Sequence, residues 1–204
     1  MGRYIGTADF LNYTFGTTNP LAIPIYADDL TLINACIANA ESAIDAETRR
    51  NFVGTAGTVF YNRYMQDRVR SNAFYLDTDL YRLSALTLGN GQDVPVGSVW
   101  LEPRSSGPPY RIVRLHSQYV YTWNTDSDLQ VVGTWGYSLT APAAIQQAAL
   151  RYAVILYRQK DAAGNAGADT AGFPEAGQVT FPKGMPDDVR YLLAPYRSRT
   201  GGVV

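Results

Sequence analysis

The sequence at residues 129–159 reads LQVVGTWGYSLTAPAAIQQAALRYAVILYRQ. Its first nine residues are rich in β-branched and aromatic side chains, which predicts a strand, and Gly133 and Gly136 indicate a close backbone approach or a bulge. The remainder begins with a helix-start signal, in which Thr140 is the cap and Pro142 lies in the first turn, where its missing N–H is not needed. Apolar positions then recur at helical spacing on one face, at Ile145, Ala149, Tyr152 and Leu156. This stretch predicts a sheet whose last strand passes directly into a helical layer.

A second amphipathic helix is predicted over residues 28–50. Asp28 is a candidate cap, and Arg49 and Arg50 suit the negative end of the helix dipole. Its apolar stripe consists of Leu30, Ile33, Ile37, Ala40 and Ile44. A helix of this length is about 34 Å long and needs a partner along it. The helix predicted over 142–159 is the obvious partner.

Residues 55–137, between the two helices, change from a helical period toward a period of two. Strand segments are predicted around 59–60, 74–76, 94–96 and 99–101, with a hairpin turn at Gly89-Asn90-Gly91. A second hairpin is predicted between 112–115 and 119–123, turning near His116. The pattern predicts an α+β fold, with long antiparallel helices and an inserted antiparallel β-sheet or partial barrel.

The two ends of the chain have less regular patterns. Residues 1–27 are predicted to form an arm or loop, and the Gly/Ala-rich residues 160–184 a linker or extended arm. A short C-terminal helix begins near Met185-Pro186 and ends at Pro195. A basic, flexible tail is predicted from Tyr196 onward. The sequence thus predicts one domain over residues 1–204, with 55–137 as a β-rich insertion and 160–204 as an extended arm and C-terminal tail.

Composition and charge exclude several classes of protein. The chain has 204 residues, 17 basic and 18 acidic, with a net charge of −1. This near-neutral balance argues against a basic nucleic-acid clamp. Cys36 is the only cysteine, so neither an intrachain disulfide nor a Cys-based zinc site is possible, and it is predicted to be a buried small hydrophobe. With no signal-peptide pattern and no apolar run of about 20 residues, we expect a soluble, cytoplasmic protein without a membrane partner.

Candidate chemistry is sparse in this sequence. His116 is the only histidine, with no nucleophile motif around any serine. Asp77-Thr78-Asp79 and Asp126-Ser127-Asp128 resemble half of a calcium loop, but the glycine and the bidentate glutamate that complete such a loop do not follow. We therefore predict no enzyme activity, no catalytic residue, no metal and no cofactor.

One basic region could bind nucleic acid. Arg63, Arg68 and Arg70, joined by Arg49 and Arg50, form the densest basic region. They would act with Tyr61 and Tyr64, which could stack on bases. The alternative, which we favour, is a solvated edge that discourages sheet-to-sheet pairing.

Three passages resemble the head–tail connector (adaptor) proteins of tailed phages. The first lies in and just after helix 28–50 and consists of Ala35, Ile37, Ala40, Glu41, Ile44 and Phe52. The second is residues 131–137 followed by Pro142, Ile145 and Ala148-Ala149, similar to the family's Gly-x-Trp-Gly-Tyr … Pro-x-x-Ile-x-x-Ala passage. The third is Pro186-Asp187-Asp188-Val189, Leu192-Leu193 and Pro195-Tyr196-Arg197. Many family members are shorter and nearly all-helical, so residues 55–130 are an enlarged β insertion here.

This resemblance implies a structural protein of the virion neck. Such a protein is assembled in the host cytoplasm into a ring, commonly a dodecamer, that docks under the portal protein and extends the DNA channel. A downstream tail or head-closure protein would then bind, and DNA would pass through without specific binding. The C-terminal signature implies portal contacts from Leu192, Leu193, Pro195, Tyr196 and Arg197.

Two alternatives remain open from the sequence. A head-closure or tail-completion protein would bind an adaptor that is already in place, and not the portal directly. A β-rich carbohydrate-binding module would use Tyr119, Tyr121 and Trp123, which alternate along one predicted strand, although such a stripe is more often the core face of a sheet.

Overall fold

The computed structural model describes residues 2–16, 27–123, 127–165, 170–173, 177–180 and 184–198. The chain divides into two compact units, one comprising residues 1–49 and 141–204 and the other residues 50–140. The described residues form four α-helices, all in the first unit: α1 Thr7–Phe15, α2 Ala27–Thr48, α3 Ala143–Asn165 and α4 Asp187–Leu193. Within the residues described, no helix combines the length and the apolar character that crossing a membrane would require.

The predicted long helices are confirmed, and α2 packs against α3. The buried stripe of α2 is Ile33, Cys36, Ile37, Ala40 and Ile44, whereas Leu30 is 37% exposed and lies outside it. On α3 the buried side chains are Ile145, Ala148, Ala149, Ala153 and Val154. Three of these five are alanines, whose small side chains let another helix approach closely.

Both boundaries predicted from capping signals are slightly displaced. α3 begins at Ala143, one residue after the predicted start at 142, and the Pro142 C=O accepts the N–H of Gln146 at 3.0 Å. The C-terminus of α2 is Thr48, and Arg49 follows with a left-handed φ of 54°. The chain therefore leaves α2 two residues earlier than predicted, at a position that glycine more often occupies.

The sheet of the second unit is antiparallel, as predicted, and open. Its strands are β1 Thr55–Tyr61, β2 Val69–Arg70, β3 Ala73–Thr87, β4 Asp93–Val94, β5 Val99–Glu102, β6 Tyr110–Leu115 and β7 Leu129–Trp135. The order is β1-β7-β3-β6-β5, with β2 and β4 pairing with β3, and every strand pair is antiparallel. The α+β class is confirmed, and the sheet does not close into the barrel offered as an alternative.

Gly133 and Gly136 account for the close approach predicted in β7. A Cβ at Gly133 would lie 2.3 Å from the carbonyl oxygen of Arg82 on β3. Gly136 has φ +148°, and its N–H donates to the Asp79 carbonyl at 2.8 Å. The register between β3 and β7 also shifts twice, so the predicted irregularity is confirmed on both strands.

The hairpin predicted between 112–115 and 119–123 is wrong. β6 pairs with β3 and β5, and residues 119–123 form no strand beyond an isolated bridge between Gly89 and Trp123. Burial explains the difference, because Tyr121 enters the core and its hydroxyl donates to the Val113 carbonyl at 2.6 Å. The hairpin at 89–91 is confirmed by the pairing of β3 with β4.

Two segments predicted as arms contain regular structure. The arm predicted over 1–27 includes α1, which buries Phe10 and Leu11, begins where the Gly6 N–H donates to Asp9 at 2.7 Å, and ends at Gly16 with φ 64°. The rest of that arm, 17–26, lies outside the described residues. In 160–184, α3 continues to Asn165, because alanines at 162 and 163 favour helix. It is followed by two paired strands, β8 Thr170–Phe173 and β9 Gly177–Thr180.

Candidate functional site

The C-terminal segment, defined as residues 187–198, contains the five residues predicted to contact the portal, which lie between Leu192 and Arg197. Its helix α4 has Asp187 and Asp188 in the first turn, where carboxylates favour the positive end of the helix. Val189 and Leu193, four residues apart on one face, are fully buried. Asp188 accepts a hydrogen bond from Arg151 of α3 at 3.0 Å. The helix is therefore fixed to α3 by an apolar face and one ion pair.

The chain after α4 is packed on the C-terminal end of α2. Arg197 forms an ion pair with Glu47, and the Ser198 N–H donates to the Thr48 carbonyl at 2.8 Å. The prediction of a flexible tail from Tyr196 onward is therefore wrong for residues 196–198. The sequence could not show it, because Arg197 and Glu47 are 150 positions apart. Residues 199–204 of the predicted tail lie outside the described residues.

The five predicted portal-binding residues differ in accessibility. Pro195 and Arg197 are exposed, Leu192 and Tyr196 are half-buried, and Leu193 is 0% exposed. Leu193 therefore belongs to the core of the first unit. Tyr191, which the resemblance did not single out, is 81% exposed. Helical spacing could have identified it, because it lies two residues from both Val189 and Leu193 and so on the opposite face.

The N-terminal segment is held by a buried carboxylate. Glu41 on α2 is 2% exposed and accepts the backbone N–H groups of Arg3, Tyr4 and Ile5, at 2.9, 2.7 and 3.3 Å. Asp45, one turn later, accepts from the side chains of Arg3 and Tyr4. A carboxylate that accepts several backbone N–H groups is well compensated for its burial. Residues 2–5 are thus part of the helical unit.

The aromatic stripe predicted as a possible sugar platform belongs to the core. Tyr121 is buried, and the half-buried Tyr119 and Trp123 pack against the core cluster of the sheet. The indole N–H of Trp123 donates to the Tyr61 carbonyl at 3.3 Å. These rings do not form a shared exposed surface, so they do not support the carbohydrate-binding hypothesis.

The basic region around residues 61–70 is not a continuous binding surface. Arg68 forms an ion pair with Asp77 on β3, and Tyr61 is buried in the core cluster. Arg63 lies over the ring of Tyr64, with its Cζ 5.2 Å from the ring centroid, and Tyr64 is 79% exposed. Only the Arg63–Tyr64 pair of the predicted set presents a ring and a cation together to solvent.

Asp77 and Asp79, the first pair with a calcium-loop pattern, are engaged by arginines, whereas Asp126 of the second pair lies outside the described residues. Asp79 is buried and accepts from Arg50 Nη1 at 3.0 Å and Arg111 Nε at 2.7 Å. Throughout the described residues, no three metal-ligating side chains lie close enough together to hold an ion. His116 lies at the end of β6 with its ring 4.4 Å from that of Trp100. These groups serve structural contacts in the second unit.

The fold and the site together define a class: an α+β protein with a helical unit that holds both terminal segments and a separate unit built on an open antiparallel sheet. No family model and no curated protein matches the sequence. Solved structures do match it.

Three of these structures come from gene transfer agent (GTA) particles. A chain in the neck of an empty GTA particle, computed with C6 symmetry, superimposes with a TM-score of 0.61 at 16% identity, covering 95% of this chain and 89% of that one. A chain in the virion of a native GTA particle gives 0.59 at 15% identity, with the same coverage. A chain in the neck of a native GTA particle, computed with C12 symmetry, gives 0.53 at 14% identity, covering 97% and 95%. At these identities the fold is what is shared, and the resemblance to a phage-type head–tail connector is confirmed at that level.

Proposed function

We propose that this protein is a structural head–tail connector of a phage-like particle. It forms an adaptor ring under the portal and extends the channel through which DNA passes. The observation on which this rests most is the fold shared with neck chains over 95% of the sequence and 89% or more of theirs. In this proposal the protein has a structural role and needs neither a catalytic residue nor a cofactor.

The ring is proposed to be twelve-fold. One similar neck structure was computed with C12 symmetry and another with C6, which divides twelve. A near-neutral subunit, with a net charge of −1, suits a channel that DNA crosses without being held. The chain would then lie in the neck of the virion, with a tail or head-closure protein below it.

Portal contact is assigned to the accessible side of the C-terminal segment. Tyr191, Pro195 and Arg197 are exposed there, and the segment is rigidly supported by Leu193 and the Arg151–Asp188 pair. Tyrosine and arginine on a preorganised surface are typical of interface hot spots. Leu192 and Tyr196, both half-buried, complete the edge of this surface.

A matched pair of tyrosine substitutions tests this assignment. Tyr191→Ala should weaken binding to purified portal about tenfold or more, because an exposed aromatic anchor is lost. Tyr13→Ala is the control, since Tyr13 is also exposed in the same unit but lies on α1. Both variants should keep the wild-type melting temperature. Equal portal affinity for wild type and Tyr191→Ala, measured by co-sedimentation, would remove Tyr191 from the site.

The second candidate function is that of a head-closure or tail-completion protein. The shared fold supports it equally well, but its binding partner would be different. It would bind an adaptor–portal complex and not the bare portal. Binding to bare portal therefore favours the adaptor, and binding that requires another neck protein favours the alternative.

A further inference from the structure

We propose that β1 of one copy pairs with the β8–β9 hairpin of a second copy, so that neighbouring subunits share a β-sheet. This inference rests on the self-assembly part of the proposed function and names the surfaces that perform it.

β1 is an exposed sheet edge. Among the strands that the structure describes, only β7 pairs with it, in seven consecutive pairs from Thr55↔Trp135 to Tyr61↔Leu129 without a register shift. Residues 55–58 are exposed, and Phe60 is 59% exposed. The strand TAGTVFY contains no charged residue and no proline, the usual means of protecting an edge. Such an edge is a template for a further strand.

The opposite edge of the same sheet is protected. Glu102 on β5 accepts from Arg114 Nε at 2.7 Å, and this hydrogen bond holds the pKa of Glu102 below its usual value. Arg104 lies 4.0 Å from the centroid of the Trp100 ring. Charged side chains at an edge discourage strand addition. Of the two ends of the sheet, β1 is therefore the one suited to pairing.

Two indole N–H groups donate to carbonyls of β1, in addition to the pairing of this strand with β7. Trp135 Nε1 donates to the Gly57 carbonyl at 3.1 Å, and Trp123 Nε1 donates to the Tyr61 carbonyl at 3.3 Å. A strand that is already held in its bound conformation loses less conformational entropy when a partner adds to it.

The β8–β9 hairpin would be stabilised by a third strand, which β1 of another copy can provide. Its four residue pairs, from Thr170↔Thr180 to Phe173↔Gly177, form a two-stranded sheet separate from the large one. Two strands alone are marginally stable in water, and a third strand stabilises them. The segments TAGF and GQVT, like β1, have no charge and no proline. Strand addition, in which main-chain hydrogen bonds provide the affinity, fits both surfaces.

A second copy of the chain is the occupant that this arrangement favours. Each copy has one open β1 edge and one β8–β9 hairpin, so the two pairing surfaces are present in equal numbers. Edge and hairpin are different surfaces, and such a heterologous contact, repeated around an axis, closes into a ring.

Lysine substitutions on two strands of one sheet test the role of β1. Thr58→Lys places a charge on the exposed edge, and we expect it to raise the concentration needed for assembly at least tenfold, as measured by mass photometry. Ser84→Lys is the control, because Ser84 is an exposed small hydroxyl residue on β3, an inner strand. It should assemble like wild type. Ala56→Lys serves as a second edge variant, and circular dichroism establishes that each variant is folded.

Cross-linking between differently labelled copies tests the hairpin. In a Cys36→Ala background, a Thr58→Cys protein is mixed with an Ala171→Cys protein and treated with a short, flexible bis-maleimide, which tolerates small differences in register. We expect a cross-linked dimer from the mixture. A mixture of Thr58→Cys with Trp100→Cys, on β5, should give none, and a cross-link there in place of the first would overturn the assignment to the hairpin.

The outcomes separate this inference from the proposed function. Rings formed equally well by wild type, Thr58→Lys and Ser84→Lys would overturn the β1 contact and leave the connector function standing. Wild-type protein that stays monomeric, alone and with portal, would overturn both.

Discussion

At the scale of single residues, the buried carboxylate of Asp79 supports the second unit. It accepts hydrogen bonds from Arg50 and Arg111, and neither arginine is fully solvated. Asp79→Ala should lower the free energy of unfolding by about 3 kcal/mol, because it leaves two cations in a partly buried place without their partner. Urea denaturation measures this loss.

Asp77→Ala is the matched control for that experiment. Asp77 lies two residues away on β3 and pairs with Arg68, but both side chains are substantially exposed. Its removal should cost about 0.5 kcal/mol. Equal losses for the two variants would show that Asp79 is no more important than a surface ion pair.

Tyr61 makes stability depend on pH in the alkaline range. Burial, together with the nearby negative charge of Asp77, raises the pKa of Tyr61 to about 12. An unfolded tyrosine ionises near pH 10, so above that pH the unfolded chain loses a proton that the folded chain keeps. The stabilisation is complete below about pH 10 and is lost as the pH rises toward 12, by about 2 kcal/mol.

Tyr61→Phe should reduce this alkaline loss. Urea denaturation at pH 8 and at pH 11 compares the variant with wild type, and Tyr64→Phe is the control because its ring is exposed. Some loss will remain in Tyr61→Phe, since burial also raises the pKa of Tyr121. An unchanged difference between the two pH values would exclude Tyr61 as its source.

For single residues, burial could be predicted from the sequence, but the partners of buried carboxylates could not. The buried positions of Ile37 and Ile44 follow from helical spacing, and that of Cys36 from the usual burial of free cysteine; all three were predicted correctly. The partners of Asp79 and Glu41 could not be predicted, because Asp79–Arg111 is 32 positions apart and Glu41–Arg3 is 38. A carboxylate in a sequence looks the same whether it is solvated in a loop or held by two arginines.

At the scale of elements, we expect Glu41 to keep the N-terminal segment ordered. Glu41→Ala removes the acceptor for three backbone N–H groups, at residues 3, 4 and 5. We expect amide exchange in the N-terminal peptide to increase about tenfold or more, because local opening then costs at least 1.4 kcal/mol less. Hydrogen–deuterium exchange mass spectrometry measures the effect.

Asp45→Ala provides the comparison for Glu41. Asp45 accepts only from the side chains of Arg3 and Tyr4, so its loss should change exchange of the same peptide much less. If Glu41→Ala left exchange unchanged, the segment would have to be held by its apolar contacts alone.

The elements that were predicted correctly have a clear periodicity of apolar residues, whereas those that were missed are short. α2, α3 and α4 have regular apolar spacing, and the sheet strands follow recognisable turns. α1 spans nine residues and buries only Phe10 and Leu11, so its periodicity is too brief to distinguish from a loop. Residues 119–123 have strand composition, but the Tyr121 hydrogen bond to Val113 draws them out of the ladder. In both places tertiary contacts override the local pattern.

At the scale of the whole molecule, sequence and fold support the same proposal by different means. Three short passages suggested a connector, while no family model matches. The shared fold with GTA neck chains at 14–16% identity shows that the backbone arrangement persists where most side chains differ. The order of the strands and the ion pair between Arg197 and Glu47 could not be predicted from the sequence, because both depend on contacts between distant parts of the chain.

The most direct test of the connector proposal is negative-stain imaging of the purified protein mixed with portals from the same virus. We expect rings seated coaxially on the portal, with twelve-fold symmetry in class averages. Portals that remain bare at saturating protein, with the chain monomeric beside them, would contradict it.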